Sequence, residues 1–246
     1  MRVLRRRHRT SGFGHICKAP WRPATSNAGY KQLIAAFALT NLPSMERIPL
    51  FPLSHGVFPD GVLRLQIFEV RYLDLIRRCY RENTPFGVAW LAQGNEVAVP
   101  GQVPRLHPMG TLAHIEDLET VQAALLRVRC VGGRRFRLGA IEAGPFGVWH
   151  GEVEYLPEDL PASIPPELQP LANRLGKGIA QAQSDQLLDQ LPLQAPYRLD
   201  ECGWVANRWA ELLPLNAEEK LALLAEADPL ARLIAVGQYL GTGSGD

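Results

Sequence analysis

Residues 48–72 read IPLFPLSHGVFPDGVLRLQIFEVRY, and this stretch decides the fold. Its first six residues are apolar or proline, which predicts a short strand at a sheet edge, because proline cannot donate a ladder hydrogen bond. Pro59, Asp60 and Gly61 predict a turn. Residues 62–67 then predict a second strand, because they are rich in apolar side chains separated by polar ones. The stretch therefore predicts two strands joined by a loop that ends in a tight turn.

The hydrophobic period changes directly after the second strand. In residues 69–83 apolar side chains recur at spacings of three and four, which predicts an amphipathic helix. Residues 86–92 form a short continuous apolar run, which predicts a buried strand. Residues 97–107 contain two prolines and a glycine and predict a loop.

A hairpin is predicted over residues 126–140. Apolar side chains alternate with arginines on both sides of Gly132-Gly133, and this glycine pair predicts the tight turn. Residues 148–155 alternate again and predict a further strand. Several short strands around a single helix are typical of a small β-barrel or sandwich.

The second part of the chain is predicted to be helical. Four prolines in residues 157–166 predict a linker. Residues 167–190 and 201–213 predict helices, and Asn216 with Glu219 three residues later predicts the N-cap of another. The predicted fold class is α+β, with a basic N-terminal extension (1–44), a β-rich subdomain (45–157) and a C-terminal helical subdomain (158–246).

Charge is distributed unevenly along the chain. The formal net charge of the 246 residues is +1, yet residues 1–44 hold eight Lys and Arg and no acidic residue. Residues 45–246 therefore carry a net charge of −7. An acidic body argues against a general nucleic-acid binder, whose affinity rests on phosphate neutralisation. Met45 directly precedes the first patterned segment. We therefore predict that residues 1–44 are either a disordered extension or the result of a start codon assigned too early.

The sequence offers little for catalysis. The only Gly-Lys pair, Gly176-Lys177, is followed by glycine, so the GxxxxGK[ST] phosphate loop is absent. Lys177 and Lys220 are the only lysines after residue 44, and no serine lies in a GxSxG elbow. The four cysteines are scattered without a CxxC pair, which predicts free thiols. No apolar run approaches the ~20 residues of a membrane span. We therefore predict no enzymatic activity, no cofactor, no metal and no membrane partner.

Six short strings follow one another in a fixed order along the sequence. They are IPLFPL at 48–53, VFPDG at 57–61, LQIFEVRY at 65–72, FGV at 86–88, MGTLAHI at 109–115 and VGGRRF at 131–136. This series resembles the N-terminal domain of Lon proteases, and the resemblance covers about residues 46–240. Asp60 stands where that family often has glycine, and Gln66 where it often has histidine.

The resemblance implies a PUA-like β-barrel followed by a helical bundle. In full-length Lon proteases this domain helps to recognise substrate polypeptides and precedes an ATPase and a Ser-Lys peptidase domain. The present chain ends where the ATPase would begin. The resemblance therefore implies a cytoplasmic, non-catalytic module that recognises unfolded or tagged polypeptides, with a separate ATP-dependent protease as a candidate partner.

Candidate binding residues are expected in the loops at 54–61 and 93–109 and close to them, since binding residues concentrate on loops held by a rigid scaffold. Aromatic side chains in the family motifs are more often core residues than ligand contacts. The residues that we predict for polypeptide binding are His55, Val57, Phe58, Trp90, Arg105 and His107.

An alternative function is RNA binding, because PUA-like barrels also bind RNA and the predicted hairpin carries a row of arginines. Those arginines also fit a solvated sheet face paired with Glu142, Glu152 and Glu154, which the acidic body favours. An unrecognised hydrolase is a third alternative. The candidate RNA-binding residues are Arg127, Arg129, Arg135 and Arg137.

Overall fold

The structure is a computed structural model, and it describes residues 45–97 and 101–242. The predictions for residues 1–44 lie outside the described residues. Strands come first along the chain and helices follow. The strands are β1 (Glu46–Leu53), β2 (Val62–Ile67), β3 (Phe86–Gln93), β4 (Arg105–Gln122), β5 (Leu125–Ala143) and β6 (Trp149–Tyr155), and the helices are α1 (Val70–Glu82), α2 (Gln169–Ser184), α3 (Cys202–Leu212), α4 (Ala217–Ala225) and α5 (Pro229–Thr242). Short 3-10 turns lie at Pro145–Gly147, Pro166–Leu168 and Leu188–Gln190.

The six strands form one sheet that closes on itself. The order is β2-β5-β4-β3-β1-β6, and β5 also pairs with β6. A ring therefore runs through β5, β4, β3, β1 and β6, with β2 paired to the first half of β5. Bulges interrupt the pairing at several points, so the sheet is barrel-like without being a regular barrel. The predicted α+β class, with a small barrel followed by helices, is confirmed.

The prediction that residues 48–53 form an edge strand is wrong. β1 pairs with β6 through Glu46 to Leu50 and with β3 from Leu50 onward. Only Leu50 has a partner on both sides. Pro49 lies in the part paired to β6 and Pro52 in the part paired to β3, so each proline stands where one side of the strand is unpaired. The strand is central in the sheet but locally has the properties of an edge.

The predicted hairpin at residues 126–140 is also wrong, because β5 runs straight through Gly132 and Gly133. The turn lies earlier, at residues 123–124 between β4 and β5. The glycines allow close approach instead: a Cβ on Gly132 would lie 2.1 Å from the carbonyl oxygen of Phe58, and one on Gly133 would lie 2.9 Å from the His114 ring. A glycine pair inside a strand therefore marks a packing contact here and not a turn.

The predicted amphipathic helix is confirmed as α1. Its buried side chains, which include Tyr72, Leu75, Ile76 and Cys79, close a hydrophobic core against the sheet. The helix ends at Asn83, which adopts the left-handed conformation common at helix C-termini. α1 thus covers one face of the sheet with its apolar side. The opposite side of the helix is rich in arginine and faces solvent.

The helical part packs against the sheet through a second hydrophobic core. Phe58, Trp90 and Met109 from the β-rich part join side chains of α2 to α5 in this core. The predicted N-cap of α4 is confirmed, because Asn216 and Glu219 form a reciprocal capping box. Residues Ser44–Asp246 form one compact unit. The boundary predicted at residue 157 follows the end of β6 and stays a prediction.

Candidate functional site

The loop at residues 54–61 joins β1 to β2 and carries three of the six predicted binding residues. Its second half is a fixed turn. The amide of Gly61 donates to the carbonyl of Phe58 at 2.9 Å, and Asp60 has a positive φ of 63°. The amide of Asp60 donates to the carbonyl of Gly132 at 2.7 Å, so the turn rests directly on β5.

A buried ion pair on α3 holds the same turn from below. The Arg208 side chain is fully buried and donates to the carbonyl of Pro59 at 2.7 Å. Its Nη2 lies 3.0 Å from Oε2 of Glu211, whose Oε1 accepts from the amide of Phe58 at 2.9 Å. A Cβ on Gly61 would lie only 2.0 Å from that carboxylate. The helix and the loop therefore fit each other closely at this point.

Burial governs the electrostatics of the ion pair. It raises the pKa of Glu211 from its ordinary value of 4.5 to about 7, while Arg208 and the hydrogen bond from the Phe58 amide oppose the rise. Burial also lowers the pKa of Lys220, whose ammonium donates to the backbone carbonyl of Glu211 at 3.2 Å. A carboxyl and an ammonium with shifted pKa values thus lie directly beneath the loop.

The first half of the loop is held by different contacts. Both the amide and the hydroxyl of Ser54 donate to Oε1 of Glu96, at 2.7 and 2.5 Å. The backbone at Gly56 lies against the indole of Trp90, because a Cβ there would be 1.9 Å from Nε1. His55 is exposed between these two contacts. The loop is therefore fixed at both ends and places His55 at the surface.

A cavity of about 260 Å³ opens beside this loop. Val57, Phe58 and Trp90 are almost fully buried and give it an apolar base. Charged side chains complete its wall. Of the six predicted binding residues, the cavity brings together His55, Val57, Phe58 and Trp90, and its further lining includes Arg64, Gln190, Pro192, Glu211 and Lys220.

The other two predicted residues lie elsewhere. Arg105 is exposed at the start of β4, and His107 is half-buried on the same strand, with its Nδ1 4.0 Å from a carboxylate oxygen of Glu218 on α4. Neither residue lines the cavity beside the loop. Arg105 and His107 belong to the segment 93–109 in sequence, but the fold does not bring them to the cavity beside the loop at 54–61.

A family model for the substrate-binding domain of the ATP-dependent protease La (LON) matches residues 47–241. The chain belongs to this family. No curated protein matches it.

Two solved structures resemble this Lon substrate-binding domain. A Lon N-terminal domain protein from Xanthomonas campestris is 34% identical, with a TM-score of 0.60, and the match covers 80% of this chain and 98% of that one. The N-terminal domain of a Mycobacterium avium complex Lon protease covers the same shares at 17% identity and a TM-score of 0.52. The second likeness concerns the fold alone.

The four arginines considered for RNA binding do not share one free surface in this Lon domain. Arg127 pairs with Glu119 at 2.6 Å, and Arg129 pairs with Glu116. Arg135 is only 4% exposed and donates to Asp159 at 2.7 Å and to backbone carbonyls near α4. Arg137 is exposed. Three of the four side chains are therefore already engaged within the domain.

A larger cavity, of about 390 Å³, lies between the β-rich and helical parts of the Lon domain. Its charges largely pair with one another: Arg198 with Asp60, and Arg135 with Asp159. Arg232 from α5 donates to the same Asp159 at 2.5 Å. This network connects α5 to β5, so its evident role is to fix the two parts together.

Within residues 45–97 and 101–242, no group of three or more His, Cys, Asp or Glu side chains is placed to hold a metal ion. No helix there is both long and apolar enough to cross a membrane.

Sequence reasoning missed three charged residues beside the cavity, namely Arg64, Glu211 and Lys220. Arg64 is one of the polar residues that separate the apolar side chains of residues 62–67, and that pattern alone does not point to a binding role. Arg208 and Glu211 are spaced as a surface helix pair would be, and only the packing of α3 under the loop buries them. The scarcity of lysine after residue 44 is the one sequence signal that singles out Lys220.

Proposed function

We propose that this Lon-type domain recognises unfolded or tagged polypeptides through the cavity beside the loop at residues 54–61. The observation that carries the proposal is the convergence of four predicted binding residues on that one cavity, in a chain whose family is a substrate-binding domain. The apolar base suits an apolar side chain, and the charged wall suits the peptide backbone that carries it.

The size of the cavity favours a side chain over a whole small molecule. Its volume of about 260 Å³ lies below the 300–1,000 Å³ that is typical of small-molecule sites. Within the described residues, the indole N–H of Trp90 has no hydrogen-bond partner. This donor is buried against the Gly56 backbone, so a carbonyl oxygen of a bound polypeptide reaches it only if the loop moves aside.

The strand next to the cavity offers a second means of holding an extended polypeptide. In the described part of the chain β2 has a strand partner only on its β5 side. Its other edge begins at Val62, whose amide donates to the carbonyl of Pro192 at 3.1 Å. Beyond that bond, an extended segment can add to the edge as an extra strand, a common form of peptide recognition.

The proposed role is recognition without catalysis. The sequence has no phosphate loop and no serine in a GxSxG elbow, so we infer that another protein cleaves a bound polypeptide. We infer an adaptor that works in the cytoplasm and delivers polypeptides to a separate ATP-dependent protease. Incubating the purified chain with a labelled unfolded protein should yield no fragments, and fragments that persist after further purification would contradict this role.

Fluorescence anisotropy with a labelled, permanently unfolded polypeptide tests the recognition itself. The full chain should bind it saturably, and unlabelled RNA should not displace it. Gly56→Ala forces the loop away from Trp90 and should weaken binding at least tenfold. If the loop took no part in recognition, this change would leave the affinity for the polypeptide unaltered. His55→Ala, at an exposed position, should weaken it less.

Gly178→Ala is the matched control, because a Cβ on this α2 glycine meets no atom within 4 Å. It should leave binding unchanged. Equal binding by the Gly56 and Gly178 variants, or displacement by RNA with a steep salt dependence, would overturn the proposal.

A further inference from the structure

Phe146 has a conformation and an exposure that its own packing does not explain. Its φ of 58° and ψ of 16° lie in the left-handed region, which bulky residues rarely adopt, and its side chain is 86% exposed. The turn around it is firmly bonded: the Gly144 amide donates to the Val148 carbonyl at 2.8 Å, and Arg71 donates to the Gly147 carbonyl at 3.0 Å. The protein thus holds a large aromatic ring in solvent at a conformational cost.

The exposed ring separates two hollows. One, of about 310 Å³, lies toward the loop after β3 and includes Pro52 and Trp149 in its lining. The other, of about 360 Å³, lies toward α1. Phe146 and Arg71 line both. A chain crossing the ridge can therefore place one side chain on each side of the ring.

The hollow toward α1 is strongly basic. Arg71, Arg77, Arg78 and Arg81 line it together with one acidic residue, Asp74. Arg71 forms an ion pair with Glu69 and donates to the turn at the Gly147 carbonyl. The guanidinium of Arg77 lies 4.0 Å from a carboxylate oxygen of Asp74. Among the described residues, no carboxylate lies within ion-pairing distance of Arg78. Arg81 pairs with its exposed neighbour Glu82.

We propose that the Phe146 surface, formed by Phe146, Arg77, Arg78 and Arg81, binds an extended acidic polypeptide segment that carries an aromatic or large aliphatic side chain. The polypeptide class of this partner rests on the function proposed above. The arginines attract carboxylates, and the ring with its two hollows receives apolar side chains. This surface would select among polypeptides by charge, which the loop cavity does not do.

A short acidic segment fits the surroundings better than a nucleic acid. The arginines of this surface lie on α1, while residues 45–246 as a whole have a net charge of −7, so their surface is acidic on average. A long polyanion would extend past the arginines onto this acidic surface, where like charges repel it. A segment with a few carboxylates stays within the basic area.

The test uses three labelled peptides of equal length and the full 246-residue chain. The first has Asp-Glu pairs on both sides of a phenylalanine, the second has Asn-Gln pairs instead, and the third has serine in place of the phenylalanine. We expect saturable anisotropy for the first, with roughly tenfold weaker binding for each of the other two.

Matched variants locate the site. Arg78→Gln/Arg81→Gln removes two basic side chains one helical turn apart on α1, and Arg174→Gln/Lys177→Gln removes an equivalent exposed pair on α2. The α1 variant should weaken binding of the acidic peptide about tenfold, and the α2 variant less than twofold. Phe146→Ala should weaken it about as much as the α1 variant while leaving the thermal transition in place.

Each contrary result has a distinct meaning. Equal losses in the α1 and α2 variants would overturn the proposal in favour of non-specific attraction, to which the basic residues 1–44 contribute equally in both. Preference for single-stranded RNA over the acidic peptide, lost in the α1 variant, would replace the polypeptide with a nucleic acid. Binding that is sensitive to Gly56→Ala but not to the Phe146 surface would overturn this inference alone and leave the proposed function standing.

Discussion

The loop at residues 54–61 and the turn around Phe146 both carry an aromatic side chain, but the domain treats them in opposite ways. Phe58 is buried, and charges from α3 fix the backbone on either side of it. Phe146 is in solvent, and near it Arg77 and Arg81 pair with exposed carboxylates, while Arg78 has no carboxylate within ion-pairing distance in the described part of the chain. Buried charges at the first region therefore hold the protein together, whereas exposed charges at the second are available to a partner.

Removing the buried cation should produce the largest effect. Arg208→Met leaves the Glu211 carboxyl and the Pro59 carbonyl without their partner, which we expect to lower the free energy of unfolding by about 4 kcal/mol. Urea denaturation followed by tryptophan fluorescence measures it. Arg81→Gln on the exposed side should change stability by less than about 1 kcal/mol. Similar losses in both variants would break the contrast between the two regions.

The second effect concerns pH. Burial raises the pKa of Glu211 from its ordinary value of 4.5 to about 7. Between these two pH values, Glu211 is therefore protonated in the folded protein and ionised in the unfolded chain. Its contribution to stability should therefore be complete below pH 4.5 and should be lost as the pH rises to about 7, by about 3 kcal/mol.

Comparing the wild type with Glu211→Gln isolates this contribution, because the other titrating groups are common to both. The variant keeps an acceptor for the Phe58 amide but cannot ionise, so its stability should vary less between pH 4.5 and 7. Parallel pH profiles for the two proteins would show that Glu211 is ionised throughout this range.

A third, smaller effect tests the contact between the loop and β5. In Gly132→Ala the new Cβ would meet the Phe58 carbonyl oxygen at 2.1 Å, so the loop or the strand must move, at a cost of about 2 kcal/mol. In Gly133→Ala the nearest atoms belong to the His114 side chain, which can rotate, so the cost should be below about 1 kcal/mol. Equal melting temperatures for the two variants would contradict this account.

The smallest effect has the opposite sign. Phe146→Gly relieves a left-handed conformation that costs an ordinary residue about 1–2 kcal/mol, offset by the greater chain entropy of glycine. We expect a net gain of about 0.5 kcal/mol in unfolding free energy, together with weaker binding of the acidic peptide. A clear loss of stability would show that the ring is packed for structural reasons.

Local patterns predicted those features that depend on neighbours in sequence. The 3.6-residue period of apolar side chains predicted α1, and the spacing of Asn216 and Glu219 predicted the start of α4. The motifs at residues 48–72 pointed to the family. Local patterns also predicted His55, Val57, Phe58 and Trp90 as candidates, since binding residues are expected in and close to the loops at 54–61 and 93–109. Whether these residues bind a polypeptide stays a prediction.

Features that depend on distant contacts were not predicted. A Gly-Gly pair has the same local signature whether it makes a turn or admits the carbonyl of Phe58, which lies more than seventy residues away in sequence. The Arg208–Glu211 pair has the spacing of a solvated helix pair, and only the tertiary fold buries it. Nothing in the sequence around Phe146 shows that its backbone is left-handed.

The closed ring of strands has a consequence for synthesis on the ribosome. The first residues of β1 pair with β6, so Glu46 to Leu50 wait for a partner that is encoded about 100 residues later, which at 5–20 residues per second takes roughly 5–20 s. During that interval the first half of β1 has no strand to pair with, although Leu50 to Leu53 can already pair with β3. Molecular chaperones at the exit tunnel therefore have a defined time window in which this segment is open to them.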